Sequence, residues 1–322
     1  MTQLIAEFCQ NHNGNMELLA RMVEAAAKAG ATHGKMQTIL ADTIAYRPQF
    51  EEGLIVDGVT KSIKRPYGAE YQRLKGLEVS QKDTLRFVDL CHQNGLVPMT
   101  TCFVRAHARD LAQAGFKTIK VASYDCSSYP MLRELGSLFN EVVVSTGATF
   151  DDEVLHAAAI LRDKSFALLH CVTLYPTPLD QMHLLRMQWL RTLVPRVGFS
   201  EHSLVSRDGL VASKAALALG ADIIERHFTI LGPTESRDGP VSITPQHMAE
   251  LAAFVALSSQ ERMQRMDVEH PDWKVMCGQQ RRQLSDDELL NRDYYRGRFA
   301  SPRPESRNGT RMIFNWEETP LA

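Results

Sequence analysis

Two histidines, His202 and His227, stand at the C-terminal ends of two short β-type runs, Arg196–Ser200 and Asp222–Phe228, with a helical pattern between them. A strand, a helix and a parallel strand bring both imidazoles to the same face of one sheet. Two neutral imidazoles converging there make half of a divalent-metal site. Taken alone, such a pair is more often structural, so the groups around it must decide.

Those groups depend on the elements that carry them. Before the two histidine-bearing runs, strand patterns cover Leu4–Phe8, His33–Thr38, Leu96–Thr101, Thr118–Ala122, Glu141–Ser145 and Phe166–Cys171. Helical spacing covers Met16–Ala29, Ser80–Asn94, Ala106–Ala114, Pro130–Phe139, Asp151–Arg162, Leu179–Leu193 and, after the last strand, Pro245–Met263. Eight strands alternating with helices over roughly 260 residues predict an α/β fold, the (β/α)8 or TIM barrel. A doubly wound sheet would carry a glycine-rich loop after its first strand, and only Gly14 lies there. Residues 39–79 lack clear periodicity and read as a long functional or mobile loop. The expected organisation is a barrel over 1–265 and an arginine-rich extension over 266–322, the remnant of a second module. The extension carries eight arginines between 281 and 311 and one potential strand, Thr310–Trp316. Its arginines read as solvated or as a subunit contact; the alternative is a cationic contact to substrate.

Composition excludes several classes. The 322 residues carry a formal charge of −2, which gives no field for nucleic acid or a membrane surface. No run reaches the ~18 apolar residues of a membrane span. Six cysteines without C-x-x-C spacing, and no leader-like N-terminus, predict reduced thiols in a cytoplasmic protein.

In a TIM barrel, chemistry sits at the C-terminal strand ends and in the loops that follow. In strand order these supply Glu7, Asn11 and His12; Lys35 and Gln37; Thr100 and Thr101; Lys120, Ser123 and Asp125. They continue with Ser145 and Thr146; His170, Thr173 and Tyr175; Ser200, Glu201 and His202; then Glu225, His227 and Thr229. Lysines and hydroxyls facing one cavity match phosphate or carboxylate oxygens. Histidines and acids opposite them suit a divalent cation. The combination points to an enzyme that handles an anionic substrate with Lewis-acid help. The blander readings are that the lysines snorkel, that Glu7 caps a loop, and that His12 is only a turn donor. His33, His92, His107, His156, His183, His247 and His270 read as surface or packing residues.

The ordered motifs I-A-E-F (5–8), N-H-N-G (11–14), K-M-Q-T (35–38), T-T-C-F (100–103) and I-K-V-A-S-Y-D (119–125) carry a resemblance. So do V-S-T-G (144–147), L-L-H-C-V-T-L-Y-P-T-P (168–178), G-F-S-E-H-S (198–203), I-E-R-H-F-T (224–229) and S-R-D-G-P-V-S (236–242). Over about residues 4–262 the chain resembles the sialic acid (N-acetylneuraminate) synthases and their legionaminate and pseudaminate relatives. The resemblance implies condensation of phosphoenolpyruvate with the open-chain aldehyde of an N-acetylated amino sugar, helped by Mn2+ or Mg2+. It implies phosphoenolpyruvate contacts from Lys35, Thr101, Lys120, Ser123, Ser145 and Ser200, and metal ligation by His202 and His227. Gln37, Asp125, Thr173, Tyr175 and Asp238 would meet the sugar, with Glu7 acting at the reacting centre beside Lys35, Lys120 and Asp125. A homodimer is expected. Tyr124 stands where relatives commonly have glycine, Cys102 where proline is common, and Thr173 where asparagine is frequent. Relatives also carry an antifreeze-like C-terminal domain that lends an arginine to the partner's site; here only the extension remains. The alternatives are a phosphoenolpyruvate aldol synthase for another aldose or aldose phosphate, and a non-catalytic binding homologue.

Overall fold

Strands buried on both faces favour near-continuous apolar residues, and Glu141–Ser145 and Phe166–Cys171 supply them, whereas His33–Gln37 and Ile223–His227 carry charged and polar groups toward the barrel mouth. The computed structural model describes residues 2–305 and 309–321. The barrel strands are β1 (Gln3–Cys9) and β2 (His33–Gln37), then, after a small hairpin of β3 (Leu54–Val56) and β4 (Val59–Ser62), β5 (Val97–Thr101) and β6 (Thr118–Val121). They continue as β7 (Glu141–Ser145), β8 (Phe166–Cys171), β9 (Val197–Glu201) and β10 (Ile223–His227). All eight pair in parallel and in sequence order, and β1 closes the ring by pairing with both β10 and β2. The expected (β/α)8 barrel is the observed architecture.

Inside the ring, Ile5, Met99, Val143, Ala167, Leu169 and Ile223 form one apolar layer. The pleat repeats every two residues. The next inward positions are therefore Glu7, Thr101, Ser145, Cys171 and Glu225, and all five line the cavity at the barrel mouth. Gly198 lets the layer close: a Cβ there would lie 2.4 Å from the Ile223 carbonyl oxygen and 2.7 Å from Leu169. Outside the ring, Phe8 packs edge-on against Phe87 and Phe228 at 6.1 and 5.9 Å, joining strands to helices.

Several segments depart from expectation. Residues 39–79 are not a bare loop: they hold the β3–β4 hairpin and a helix, Tyr67–Lys75. Phe50 packs 5.1 Å from Tyr294, and Arg47 donates to the Arg296 carbonyl at 3.1 Å. Their apolar partners lie far along the chain, which is why no local period announces them. Leu179–Leu193 is a 3-10 turn, Leu179–Gln181, and a short helix, Arg186–Arg191, interrupted where His183 takes a φ of 48°. Ala106–Ala114 likewise begins as a 3-10 turn before the helix Ala108–Gln113. Pro245–Met263 is two helices, Pro245–Val255 and Ser259–Glu269. The second is restarted by a reciprocal capping box between Ser258 and Glu261.

The C-terminal segment folds over the barrel mouth. It consists of a helix, Asp286–Tyr295, and an antiparallel hairpin of β11 (Ala300–Glu305) and β12 (Gly309–Phe314). The single strand expected at Thr310–Trp316 is thus one arm of a hairpin. Arg281 and Arg311 are solvated as expected, but three other arginines of the extension are not. Arg292 is buried and donates to the Ala148 carbonyl and to Glu153, both at 2.6 Å; Arg282 pairs with Glu288 at 2.7 Å, and Arg298 pairs with Glu70. Arg307 lies outside the described residues. Among those described, no helix is long and apolar enough to cross a membrane.

A candidate active site at the barrel mouth

The strand ends and the C-terminal segment enclose a cavity of about 470 Å³. All fourteen residues assigned a role from sequence line it: Glu7, Lys35, Gln37, Thr101, Lys120, Ser123, Asp125, Ser145, Thr173, Tyr175, Ser200, His202, His227 and Asp238. Asn11, His12, Thr100, Thr146, His170, Glu201 and Thr229, also gathered from the strand ends, do not. The reason is local. His170 points outward, bonded to the Met182 carbonyl at 2.6 Å and stacked on Phe199, and the His12 Nδ1 accepts from the Gly14 N–H at 3.1 Å.

One wall is cationic and hydroxyl-lined. Lys35 reaches across the β1–β2–β5 seam to contact Glu7, donates to the Thr101 Oγ1 at 3.2 Å, and lies 3.8 Å from Glu225. Burial pushes its ammonium down to about 8; Glu225 opposes the shift and Lys120 adds to it. Lys120 donates to the Ser145 Oγ at 2.6 Å, and Ser200 donates to the Glu225 carboxylate at 2.8 Å. Two buried ammonium groups amid hydroxyls can receive a small anion.

The facing wall carries the imidazoles, with ring centroids 5.3 Å apart. The His202 Nε2 is 2.9 Å from the Tyr175 hydroxyl. The His227 Nδ1 is buried with no hydrogen-bond partner among the described residues, 3.8 Å from the Asp238 Oδ2, and Cys9 donates its thiol to that same oxygen at 2.9 Å. Burial drives both imidazoles below their ordinary range, His202 the further, with His227 beside it adding to the shift. Neutral rings keep lone pairs for a cation. Donor atoms of Cys9, His227 and Asp238 all lie within 4.8 Å of one another, so the residues fit a divalent ion.

The outer rim is built from distant chain. Arg65, Arg73, Arg237 and Arg298 all line the cavity, and Glu70 pairs with Arg73 at 3.0 Å, with Arg237 at 3.5 Å and with Arg298. Despite its burial, hydrogen bonding to Arg73 and the charges of Arg298 and Arg237 hold the Glu70 carboxyl down at about 2. Tyr124, unusual against the resemblance, stacks on Tyr295 at 4.9 Å, so the C-terminal helix covers the place that the larger ring creates. Of the rim, Arg237 carries a sequence signal as the neighbour of Asp238, and Arg298 as a member of the arginine-rich extension whose alternative reading is a cationic contact to substrate. Glu225 is among the strand-end acids read from sequence; Cys9 has no such signal, because the β1–β2 register shifts between Glu7 and Cys9.

Asp125 is part-buried at the cavity wall, accepting from Ser128 at 2.8 Å and from the Asn315 Nδ2 at 3.0 Å. Burial raises its carboxyl to about 6, against the lowering effects of Asn315, Ser128 and Arg296. The unfolded chain ionises near 3.8. Between the two values the native state holds a proton that the unfolded state has released, so Asp125 makes stability fall as pH rises through this window. Asp125→Asn, which cannot ionise, is therefore expected to raise the melting temperature relative to wild type more at pH 8 than at pH 4. Equal differences at both pH values in thermal melts would refute this.

The sequence model of the NeuB family matches residues 22–264. The chain is 29% identical over 268 residues to the N,N'-diacetyllegionaminic acid synthase of Campylobacter jejuni, covering 79% of this chain and 75% of that one. It is 30% identical over 258 residues to the N-acetylneuraminate-9-phosphate synthase of Drosophila melanogaster, covering 78% and 66%. Its fold resembles the N-acetylneuraminic acid (sialic acid) synthetase of Leptospira borgpetersenii in complex with citrate, with a TM-score of 0.69 at 23% identity over 91% and 90% of the two chains.

Proposed function

The chain belongs to the NeuB family, and from that premise we propose that it condenses phosphoenolpyruvate with the open-chain aldehyde of an N-acetylated amino sugar, giving a nonulosonic 2-keto acid and phosphate. The observation that carries this reading is the single cavity in which the Lys35–Lys120 pocket faces His202 and His227. Lys35 and Lys120, with Thr101, Ser123, Ser145 and Ser200, hold the phosphate and carboxylate of phosphoenolpyruvate. His202 and His227 hold a divalent cation, Mn2+ or Mg2+ by family habit. When bound, such a cation supplies Lewis acidity at the aldehyde oxygen. Gln37, Asp125, Thr173, Tyr175 and Asp238 orient the sugar so that its carbonyl carbon meets the enol carbon, a placement that can contribute about 7–11 kcal/mol.

As the new C–C bond forms, positive charge develops at the former enol C2. Glu7 supplies a fixed negative charge there, held in place by Lys35 and by the Cys9 N–H, which donates to Glu7 at 2.6 Å. Water adds to C2, and one of its protons passes by way of a carboxylate to the new sugar alkoxide. As the C–O bond to phosphate breaks, the other leaves with the phosphate, so that C2 becomes the keto group. A homodimer belongs to the same reading, supported by the exposed apolar tip of the β3–β4 hairpin at Leu54, Ile55, Val56 and Val59. A cytoplasmic setting goes with it.

The test is phosphate release from phosphoenolpyruvate with Mn2+ or Mg2+ across N-acetylated hexosamines, including 2,4-diacetamido sugars. Release with at least one sugar is expected. Calorimetric binding of phosphoenolpyruvate without phosphate from any sugar would instead support a non-catalytic homologue. The rim arginines favour one second reading, an acceptor aldose that itself carries phosphate. It predicts faster turnover with a hexosamine phosphate than with the free sugar.

A further inference from the structure

Cys9 ends β1 in an uncommon conformation. Its φ is 45°, in the left-handed region that favours glycine, and the β1–β2 register shifts between Glu7 and Cys9. The irregularity brings the thiol to the cavity wall. There it lies 2.9 Å from Asp238, a residue 229 positions away in sequence, whose same oxygen is 3.8 Å from the His227 Nδ1. The His227 side chain is more than nine-tenths buried, and that nitrogen has no hydrogen-bond partner among the described residues. A thiol and a carboxylate thus converge on an imidazole nitrogen left unsatisfied, and burying a polar atom in that state is costly unless a ligand completes it.

The chemistry of the three donors is specific. Sulfur, nitrogen and oxygen in one small cluster match Zn2+, Co2+ or Fe2+, whereas Mg2+ takes oxygen ligands almost alone. We propose that Cys9 is a ligand of the cation, completing a Cys9–His227–Asp238 set beside His202, and that this sulfur makes the site select a thiophilic divalent ion over Mg2+ and Mn2+. The thiol proton leaves to solvent as the sulfur takes up the ion. Asp238 thereby serves the metal as well as, or in place of, the sugar. The inference rests on the metal site proposed at His202 and His227 and adds to it the identity of a ligand and a preference among ions.

Cobalt(II) tests it without substrate. The full chain, freed of metal and titrated with Co2+, is expected to develop a thiolate-to-cobalt charge-transfer band in the near ultraviolet. Cys9→Gly, which suits the left-handed backbone, should bind Co2+ without that band. Cys171→Ala, removing the thiol 3.8 Å from the His202 Nδ1, should keep it. Equilibrium dialysis should show the Zn2+-over-Mn2+ preference falling at least tenfold in Cys9→Gly, with Cys9→Ser as the second variant should the glycine form prove unstable. Cobalt bound by the wild type with no thiolate band, or a band unchanged in Cys9→Gly, would overturn the ligand assignment and leave the metal site standing. No cobalt binding by the wild type would remove the metal site itself, and this inference with it.

Discussion

Lys35→Met is expected to lower phosphate release from phosphoenolpyruvate by about 10²–10³-fold, the loss that follows removal of one preorganised charge or donor at a reacting anion. The side chain is almost wholly buried, so its ammonium acts across little water, and it touches both Glu7 and Thr101. Methionine preserves the volume and removes the charge. Lys120 remains, and for that reason the loss is not total. A coupled phosphate assay checks the result, and a variant retaining more than a tenth of the wild-type rate would dismiss Lys35 as an anion contact. The same ammonium sets a pH dependence. Burial puts its titration near about 8, so it is charged below and neutral above that value. Turnover of phosphoenolpyruvate should therefore decline as pH rises through about 8, and the decline should be missing from the residual activity of Lys35→Met.

Arg226→Met is expected to destabilise the barrel by about 3–5 kcal/mol, the cost of leaving one partner of a buried ion pair alone. Arg226 and Glu201 pair with no solvent exposure at either side chain. Glu201 also accepts from the hydroxyls of Ser203 and Ser213, and Arg226 donates to the Val241 carbonyl at 3.3 Å. Alternation explains the placement: inward positions on β9 and β10 carry Ser200 and Glu225, so Glu201 and Arg226 point outward, under the helix Val211–Ala218. Each is followed directly by one of the two histidines. The pair therefore lies directly behind the strand positions that precede the two imidazoles. Urea unfolding measures the cost, and the double variant Glu201→Met/Arg226→Met should recover most of it, because no charge is then left unpaired. A single-variant cost below about 1 kcal/mol would mean that water reaches the pair.

Much of the inner site is legible in the amino-acid sequence. Helical and strand periods locate eight strands, and the pleat then dictates that residues two beyond the inner apolar layer face the mouth. Glu7, Thr101, Ser145 and Glu225 follow from Ile5, Met99, Val143 and Ile223 in this way. The helix breaks at His183 and Ser258 are harder to read, because one left-handed residue or one capping box divides a pattern that remains periodic on both sides.

What sequence alone determined about this protein is the barrel, the polarity of its mouth, and the facing of a lysine pocket by two strand-end histidines. These are properties of short stretches, repeated in register by the period of the strand. Only the tertiary structure decided that Cys9 meets Asp238, that Tyr124 stacks on Tyr295, and that Arg298 returns from the C-terminal segment to Glu70 at the rim. Each of those contacts joins residues more than 150 positions apart, and their closeness depends on the path of the chain between them. A local pattern carries the direction in which a side chain points, and the folded chain supplies what it meets.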